Sequence, residues 1–469
     1  MAQYKTPGVF IEEISKLPPS VAAVATAVPV FIGFTAKSED GGGAPLKGIP
    51  TRITSLLEYE QLFGGAAIKS LLVKVDQQAQ NIKVAFHTAP GLPAQYLYYS
   101  MQLFYANGGG PCYILSIGNY ADSAAPTTAM FTAAITTLEA WDEPTLLVFP
   151  DACLFAASVD HRTVLDAALL HCNKMQDRFT IADVWNAIPG QIDTNAEIDT
   201  NFRAITSDPG LVKYGAGYYP YLDTALPFVT DDANVIIKTY VTDNTSVIAA
   251  DATLASIKTS VTDVYNAVKR FANSAFVTVP PSGAVAGAYA RTDGTRGVHK
   301  APANVSLLNV VGPAIQITDD FNSNLNVDPT SGKSVNAIRA FIGKGTLIWG
   351  ARTLAGNDNE NRYVPVRRFL IFAEESIKKA TSQFVFEPND ANTWVKVSGM
   401  IENFLTLQWR DGALAGAKPE DAFYVAVGLN KTMSAQDILN GYLIVEVGLA
   451  IVRPAEFIVL RFVQMLQKS

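Results

Sequence analysis

The sequence predicts a multidomain protein of mixed α/β and α+β class, with extended strand arms at both ends of the chain. Three observations support this prediction. Strand-like and helix-like segments alternate in the first half, the last third carries two helices followed by strands, and each terminus carries a strand pattern of its own. Alternating strands and helices are typical of an α/β layer with an at least partly parallel sheet. A length of 469 residues suggests about three domains.

Changes in composition and in turn-forming residues mark the predicted domain boundaries. The predicted parts are an N-terminal connecting arm at 1–19, an α/β body at 20–335, a compact C-terminal α+β domain at 336–454 and a C-terminal connecting arm at 455–469. Inside the body, residues 227–275 are rich in Thr, Ser, Asp and Ala and are predicted to be a peripheral insertion. Apolar residues recur there at spacings of three and four from Leu254 to Phe271, which predicts one helix.

Apolar runs and helical patterns alternate along the first half of the body. Buried strands are predicted at Pro29–Thr35, Tyr113–Ile117, Thr145–Phe149 and Phe179–Ile181. Helices are predicted at Thr54–Phe63, Tyr96–Tyr105 and His161–Asp177.

The C-terminal domain begins with two predicted helices. The first is Arg367–Ala380, with its apolar residues on one face at Phe369, Leu370, Ala373 and Ile377. The second begins at Asn389 or Asp390, because such a side chain accepts hydrogen bonds from the free amides of the first helical turn. Its apolar stripe is Trp394, Val397, Ile401, Phe404 and Leu405. Strands are predicted to follow at Ala422–Leu429, Leu443–Val452 and Phe457–Val463.

Each end of the chain carries a strand with no obvious local partner. Val9–Glu13 has a strand pattern, and Pro18 and Pro19 after it end regular structure. Such a lone strand must pair with a sheet elsewhere, in this chain or in another. At the other end, Phe457–Val463 is apolar on both faces, so both faces are expected to be covered.

Composition excludes some broad classes of function. Hydrophobic residues make up 49% and charged residues 17%, which is enough apolar material for a large core and too little charge for disorder. The net charge is −7, and no dense Lys/Arg cluster is present to bind nucleic acid. The charge is uneven, because residues 361–469 are nearly balanced whereas the rest of the chain is acidic.

Cysteine usage and the apolar segment near the start both indicate a protein made in the cytoplasm. Cys112, Cys153 and Cys172 are an odd, sparse set without a CxxC spacing, which argues against a disulfide framework or a zinc site. The apolar run Ser20–Ala36 contains proline and glycine and is too short for a membrane span. It follows acidic rather than basic residues, so no export signal is predicted and a buried strand is favoured.

Catalytic patterns are weak throughout the chain. The four histidines, His87, His161, His171 and His299, lie in no recognisable catalytic motif, and a GxSxG elbow is missing. Most such histidines are structural or exposed to solvent. We therefore predict no catalytic residues and no enzymatic activity.

Two polar strings imitate ligand-binding motifs. Ser331–Ser334 contains the Gly-Lys-Ser of a phosphate-binding loop, but Val327 stands where that motif needs glycine. Oxygen-bearing side chains alternate from Asp320 to Asn326 as in a calcium loop, but Leu325 replaces its turn glycine and Ser331 its closing glutamate. Neither string predicts a cofactor or a metal.

A series of strings resembles the tail sheath family of contractile phages and related injection systems. In the C-terminal third these strings are 350–354 (GARTL), 362–368 (RYVPVRR), 374–377 (EESI), 386–390 (FEPND), 412–417 (GALAGA) and 453–458 (RPAEFI). Strings 4–10 (YKTPGVF), 281–287 (PSGAVAG) and 300–304 (KAPAN) extend the resemblance to the start and the middle. These strings are most similar to those of extracellular, phage-derived injection systems. Other contractile tails are the alternative assignment. Residues 227–275 match nothing in the family.

The resemblance implies a structural subunit that polymerises as stacked hexameric rings around an inner tube and contracts to drive that tube through a target envelope. It implies that the terminal arms cross to neighbouring subunits and complete a sheet there. The expected arm residues are Val9, Phe10 and Ile11 at one end and Phe457, Ile458, Val459, Leu460 and Phe462 at the other. The implied partners are further copies of this chain, an inner tube protein, and baseplate and terminal cap proteins, without nucleic acid and without membrane insertion.

The resemblance also places the C-terminal domain against the inner tube. Together with the nearly balanced charge of this region, it makes one helix the candidate contact, through Arg367, Arg368, Lys378 and Lys379. A helix face that merely meets solvent is the alternative. The rival classes are a hydrolase, which would need a nucleophile and base, and a non-contractile tube or capsid protein, which would lack the C-terminal strings.

Overall fold

The computed structural model describes residues 21–78, 81–122, 125–242, 245–246 and 251–461. The predicted strand Val9–Glu13 lies outside the described residues. The chain divides into two compact units, and the division falls within one helix, between Phe372 and Ala373. We call Ala25–Phe372 with residues 453–461 the body unit, and Ala373–Val452 with residues 21–24 the C-terminal unit.

The strands are β1 Pro29–Thr35, β2 Thr51–Ile53, β3 Leu71–Gln78, β4 Asn81–Phe86, β5 Cys112–Asn119, β6 Leu146–Val148, β7 Phe179–Asp183, β8 Gly215–Tyr219, β9 Leu222–Pro227, β10 Val235–Thr242, β11 Thr245–Ser246, β12 Ala252–Thr253, β13 Phe276–Val279, β14 Val305–Ser306, β15 Val310–Pro313, β16 Val335–Phe341, β17 Gly345–Ile348, β18 Phe423–Val427 and β19 Val445–Leu449. The α-helices are α1 Leu56–Phe63, α2 Leu97–Ala106, α3 Thr128–Thr137, α4 Ser158–Met175, α5 Asn195–Ile198, α6 Pro209–Val212, α7 Leu254–Ile257, α8 Thr262–Asn273, α9 Ser282–Arg296, α10 Asp319–Asn326, α11 Val364–Thr381, α12 Ala391–Arg410, α13 Pro419–Ala422 and α14 Ala435–Leu439.

A nine-stranded mixed sheet forms the centre of the body unit, in the order β14-β17-β16-β8-β7-β6-β1-β5-β2. The strands from β16 to β5 in this order run parallel to their neighbours, and the remaining pairs at both ends are antiparallel. All seven residues of β1 are buried, as expected for a parallel strand that is covered on both faces. The predicted strands and helices of the first half are thus confirmed to within a few residues.

Two glycines allow α2 and α9 to pack closely over this sheet. A Cβ atom on Gly283 would lie 2.5 Å from the carbonyl oxygen of Ser100, and one on Gly287 would lie 2.5 Å from that of Phe104. The two helices therefore meet backbone to backbone. Aromatic packing completes the contact with the sheet, because the rings of Phe31 in β1 and Phe104 in α2 are 5.1 Å apart.

Residues 227–275, predicted to be a peripheral insertion with one helix, contain strands as well. Their strand β10 pairs in parallel with β3, more than 150 residues earlier, and forms a second sheet of five strands with β4, β11 and β12. The predicted helix from Leu254 to Phe271 is interrupted, so that α7 and α8 are separate helices. Helix α8 packs on this second sheet, and the Phe86 and Phe271 rings are 4.6 Å apart. The segment therefore shares a hydrophobic core with β3 and β4.

The predicted domain boundary at residue 336 cuts through the central sheet. Strand β16 pairs with β8, and β17 pairs with β16, so residues 335–348 belong to the body unit. Apolar periodicity could not show this, because the pairing joins residues more than 100 positions apart.

The C-terminal unit is built from the second half of α11, α12 and a two-stranded sheet of β18 and β19. Asp390 caps α12, and its carboxylate accepts the amide hydrogens of Asn392 and Thr393. The predicted apolar stripe of α12 is confirmed for the buried residues Val397, Ile401, Phe404 and Leu405, while Trp394 is half-buried. The predicted strands 422–429 and 443–452 correspond to β18 and β19.

Candidate intersubunit interface

The described part of the C-terminal arm has no regular secondary structure and no strand partner among the described residues. Residues 453–461 contain no strand, which differs from the predicted strand Phe457–Val463, whose last two residues lie outside the described range. Four consecutive apolar side chains are exposed to solvent by 70–80%: Phe457, Ile458, Val459 and Leu460. Strand geometry requires hydrogen bonds to a second strand, and the described part of this chain supplies none here. The apolar, β-branched composition of the segment is typical of a strand.

The exposed segment begins directly after a fixed residue, Glu456. The Arg352 guanidinium donates from Nε to both oxygens of the Glu456 carboxylate, at 2.9 and 3.1 Å, and from Nη2 to Oε2 at 2.6 Å. Asn326 donates from Nδ2 to Oε1 at 2.6 Å, and the Tyr363 hydroxyl donates to Oε2 at 3.2 Å. Burial alone would raise the pKa of the Glu456 carboxyl, but these hydrogen bonds, above all those from Arg352, hold it below its usual value.

A second arginine–carboxylate pair holds the start of the body unit. Arg368 donates to both oxygens of the Asp293 carboxylate, at 3.0 and 2.6 Å, and also to the Thr26 carbonyl at 2.8 Å. The Thr26 hydroxyl donates to the same carboxylate at 2.7 Å. Arg368 also stacks over the Tyr289 ring, 4.6 Å from its centroid. The chain is therefore fixed at Thr26, just after the segment assigned to the C-terminal unit.

The sheet of β18 and β19 offers edges that such arms could extend. The two strands pair antiparallel from Phe423 opposite Leu449 to Val427 opposite Val445. In the described part of the C-terminal unit they form a sheet with each other alone. The outer edges of a two-stranded sheet carry amide and carbonyl groups to which a further strand can add.

The structure corrects the predicted contact helix. Arg367 and Arg368 are 4% and 3% exposed and lie in the body unit, where Arg367 stacks 4.6 Å above the Tyr214 ring. Lys378 and Lys379 lie in the C-terminal unit, and both are exposed beside Glu375. Arg367 and Arg368 are therefore buried cations, whereas Lys378 and Lys379 are exposed. Helical periodicity placed all four on α11 but could not show which of them are buried.

The two polar strings that resemble a phosphate-binding loop and a calcium loop have other structural explanations. The Lys333 ammonium is buried and donates to the Arg203 and Ile205 carbonyls, at 2.6 and 2.7 Å. The calcium-like string falls on helix α10, whose geometry cannot wrap the string around a cation. No group of three or more His, Cys, Asp or Glu side chains in the described chain is arranged to hold a metal ion.

Buried titratable groups occur inside the body unit but without catalytic geometry. Burial raises the pKa of Asp151 to about 6 and that of Asp183 to about 7, against hydrogen bonds from backbone amides. Burial lowers the pKa of His161 to about 3 and that of His171 to about 4. Asp151 accepts amide hydrogens from Phe34 and from the start of α2, as expected for a carboxylate that closes a helix end. The two carboxylates therefore satisfy buried backbone amides of the fold.

The anchoring roles of Arg352 and Arg368 were not predicted from the sequence. Arg352 and Glu456 each lie in a string that carries the family resemblance, 350–354 and 453–458, but nothing in either string indicates that they pair. The available signal was weak: one arginine and one glutamate, each among small and apolar residues and about 100 positions apart.

Comparisons with known proteins agree with this architecture. The family model of the phage tail sheath C-terminal domain matches residues 357–465. A chain of the cryo-EM structure of the anti-feeding prophage (AFP) helical sheath in the contracted state is 30% identical, with a TM-score of 0.66, over 98% of this chain and 99% of that chain. The sheath complex of PVC, an extracellular contractile injection system, in its contracted state is 30% identical, with a TM-score of 0.65, over 99% of both chains.

A chain of the six-fold symmetrised AFP baseplate structure matches equally well, at 30% identity and a TM-score of 0.65, over 99% of this chain and all of that chain. No curated protein sequence matches the chain. Matches of this length and identity define a structural protein of contractile injection machines. The chain belongs to the contractile tail sheath family, and it is a structural sheath subunit. No helix in the described residues is long and apolar enough to cross a bilayer.

Proposed function

We propose that this chain polymerises as stacked hexameric rings around an inner tube protein, and that the assembled sheath contracts to drive the tube through a target envelope. The observation that carries this proposal is the exposed apolar segment Phe457–Leu460, which follows an anchored residue and has no strand partner in the described chain. A row of exposed apolar residues on unpaired backbone is an aggregation hazard in a monomer. The same row is useful where neighbouring copies cover it.

Strand addition between copies is the proposed link. The arm of one subunit would add to an edge of the β18–β19 sheet of another, with main-chain hydrogen bonds giving affinity and alternate side chains giving specificity. Val9–Glu13 would add in the same way from the N-terminal arm. The lattice would then stay connected while rings rotate and approach each other. The energy for contraction would be the difference in free energy between two packings of the same subunits, so that no nucleotide is needed.

We further propose that the protein is not an enzyme. The buried carboxylates Asp151 and Asp183 accept backbone amide hydrogens, from Phe34 and Ser282, and the matched family and structural neighbours are structural sheath proteins. The proposed partners are other copies of this chain, the inner tube protein, and baseplate and cap proteins. The proposed location is an assembled phage-tail-like particle, in agreement with the extracellular contractile injection system among its structural neighbours.

Electron microscopy of the purified full-length chain, alone and mixed with its tube protein, tests the proposal. We expect ridged hollow cylinders, with a six-fold cross-section and a second, shorter and wider form after contraction. Discrete monomers under every condition, or smooth tubes that never change length, would contradict it.

A further inference from the structure

The C-terminal arm is held by hydrogen bonds at Glu456 and is exposed to solvent from the next residue onward. Glu456 has both carboxylate oxygens occupied by donors from the body unit, whereas Phe457, the next residue, is 70% exposed. Within the described stretch 453–461, the hydrogen bonds to the rest of the body unit all end on the Glu456 carboxylate. A single carboxylate therefore fixes the starting point of the arm.

The donor side of this contact is built into the central sheet. The Arg352 amide donates to Asn336 Oδ1 at 2.8 Å, and Asn336 Nδ2 donates back to the Arg352 carbonyl at 2.8 Å. Asn336 is part of β16, and its Nδ2 also donates to the Gly217 carbonyl of β8 at 3.1 Å. The Arg352 side chain is 5% exposed, and its Nη1 donates to the Asn326 carbonyl. The guanidinium is thus held from both its backbone and its far end.

We propose that Arg352 is a positioning residue that fixes the root of the C-terminal arm on the central sheet, so that any force on the arm reaches the body unit through Glu456. The part that concerns force rests on the proposed function. A bidentate guanidinium–carboxylate pair suits this role because its planar fork sets the direction of the carboxylate as well as its position. Buried ion pairs often add little to the free energy of unfolding, because both charges lose their hydration. Their better-supported role is to select one conformation of the chain.

Digestion of the soluble full-length protein with a glutamyl endopeptidase tests the anchor without any assembly. In the wild type, the Glu456 carboxylate is occupied and cannot enter the protease pocket. We expect Arg352→Gln to increase the rate of cleavage after Glu456 at least about tenfold, because the local opening that exposes the site becomes more frequent. Arg352→Lys should give an intermediate rate, because an ammonium cannot form the fork.

Arg339→Gln is the matched control. It removes a cation that pairs with Asp319 at 2.7 Å, where Asp319 is 94% exposed, so it changes the charge equally without touching the arm. Cleavage after Glu456 should stay at the wild-type rate in this control. Mass spectrometry identifies each cut, and cleavage at all other glutamates reports on global unfolding. Unchanged cleavage after Glu456 in Arg352→Gln, or an equal increase at every glutamate, would overturn the anchor.

Assembly supplies the second readout. Arg352→Gln cylinders should form less often or break when they contract, whereas Arg339→Gln cylinders should behave as the wild type. Arg352→Gln cylinders that contract intact would overturn the role in transmitting force. If the wild type itself forms no cylinders, the proposed function fails, while the digestion result still decides whether Arg352 fixes the arm.

Discussion

Gly283 lies so close to Ser100 that a Cβ atom on the glycine would be 2.5 Å from the Ser100 carbonyl oxygen and 2.7 Å from its Cα. Both atoms belong to the backbone of α2, so neither can rotate away as a flexible side chain could. The contact sits inside the body unit, where α2 and α9 cover the parallel strands. Glycine is therefore required at this position by packing, although the local helix would favour almost any other residue.

Gly283→Ala should destabilise the body unit by about 1–3 kcal/mol, because an added methyl group forces two packed helices apart. Gly294→Ala is the control within the same helix, since a Cβ atom there meets nothing within 4 Å. The control should be stabilising by about 0.5–1 kcal/mol, as expected for alanine replacing glycine in a helix. Denaturant unfolding of the soluble protein measures both, and equal effects would contradict the packing argument.

The burial of Asp183 leads us to expect that the folding stability of the protein depends on pH. Its carboxylate is fully buried, accepts the Ser282 amide hydrogen at 2.8 Å, and has a pKa raised by burial to about 7, from a usual value of 3.8. Between these two values the folded protein binds a proton that the unfolded chain lacks. This group therefore favours folding more strongly as pH falls from about 7 towards 4, and the stabilisation is lost as pH rises through 7.

Asp183→Asn should remove that dependence, because an amide keeps the acceptor oxygen but carries no charge. We expect the variant to be more stable than the wild type at pH 8, on the order of 1–3 kcal/mol, with the difference shrinking by pH 5. The measurement is the melting temperature of both proteins across this pH range. Asp320→Asn, at an exposed position on α10, should leave the curve unchanged. A constant offset between the Asp183 variant and the wild type would contradict the assignment.

Local patterns predicted those parts of the fold that local forces determine. The stripe of α12 and its cap at Asp390 were predicted because capping and amphipathic spacing act within one or two turns. Strand β1 was predicted because a run that is buried on both faces is apolar throughout. The candidate arm Phe457–Leu460 was found for the same reason, since exposed and buried apolar runs look alike in a sequence.

Features that depend on distant partners escaped prediction. The pairing of β3 with β10 decides that residues 227–275 share a core with earlier strands, and no local signal records it. The same holds for Arg368, which looked like a helix-surface cation and is buried against Asp293. Whether a charged side chain is buried depends on whether a partner of opposite charge lies beside it in the fold. The sequence does not show which residue is that partner.

Deletion of residues 1–18 should leave a folded subunit that does not polymerise. The N-terminal arm is predicted to connect subunits, and the body unit is anchored beyond it, at Thr26, by Arg368. The melting temperature of the monomer should therefore stay close to that of the full-length chain, while cylinders vanish from electron micrographs. Normal cylinders from the deleted protein would show that this arm is not a connector.

Charge reversal at Lys378 and Lys379 should weaken sheath formation on the tube. Both side chains are exposed, at 67% and 43%, and both pair with Glu375 on the same helix, so the double change to Glu should leave the monomer folded. Exposed charge contacts are individually worth about 0.2–1 kcal/mol, so the effect depends on repetition around the rings and should be largest at low salt. The control is the double variant Lys418→Glu and Lys431→Glu, which changes the net charge of the same unit by the same amount. Equal co-sedimentation of both variants with tubes would remove this face as the contact.

Leu460→Pro should separate folding from assembly. In the described chain Leu460 is 73% exposed and outside any strand, so a proline there removes no hydrogen bond within the subunit. In a sheet with a neighbouring copy the same proline removes one amide donor, and its ring strains the strand. A loss of about 1 kcal/mol per hydrogen bond recurs at every subunit of the lattice. The variant should therefore melt like the wild type and fail to form cylinders, or form cylinders that break on contraction. Val447→Pro is the opposite control, because Val447 pairs with Val425 inside the C-terminal unit and its replacement should lower the melting temperature of the monomer itself. Wild-type assembly and contraction by Leu460→Pro would show that the arm does not join the sheet of a neighbour.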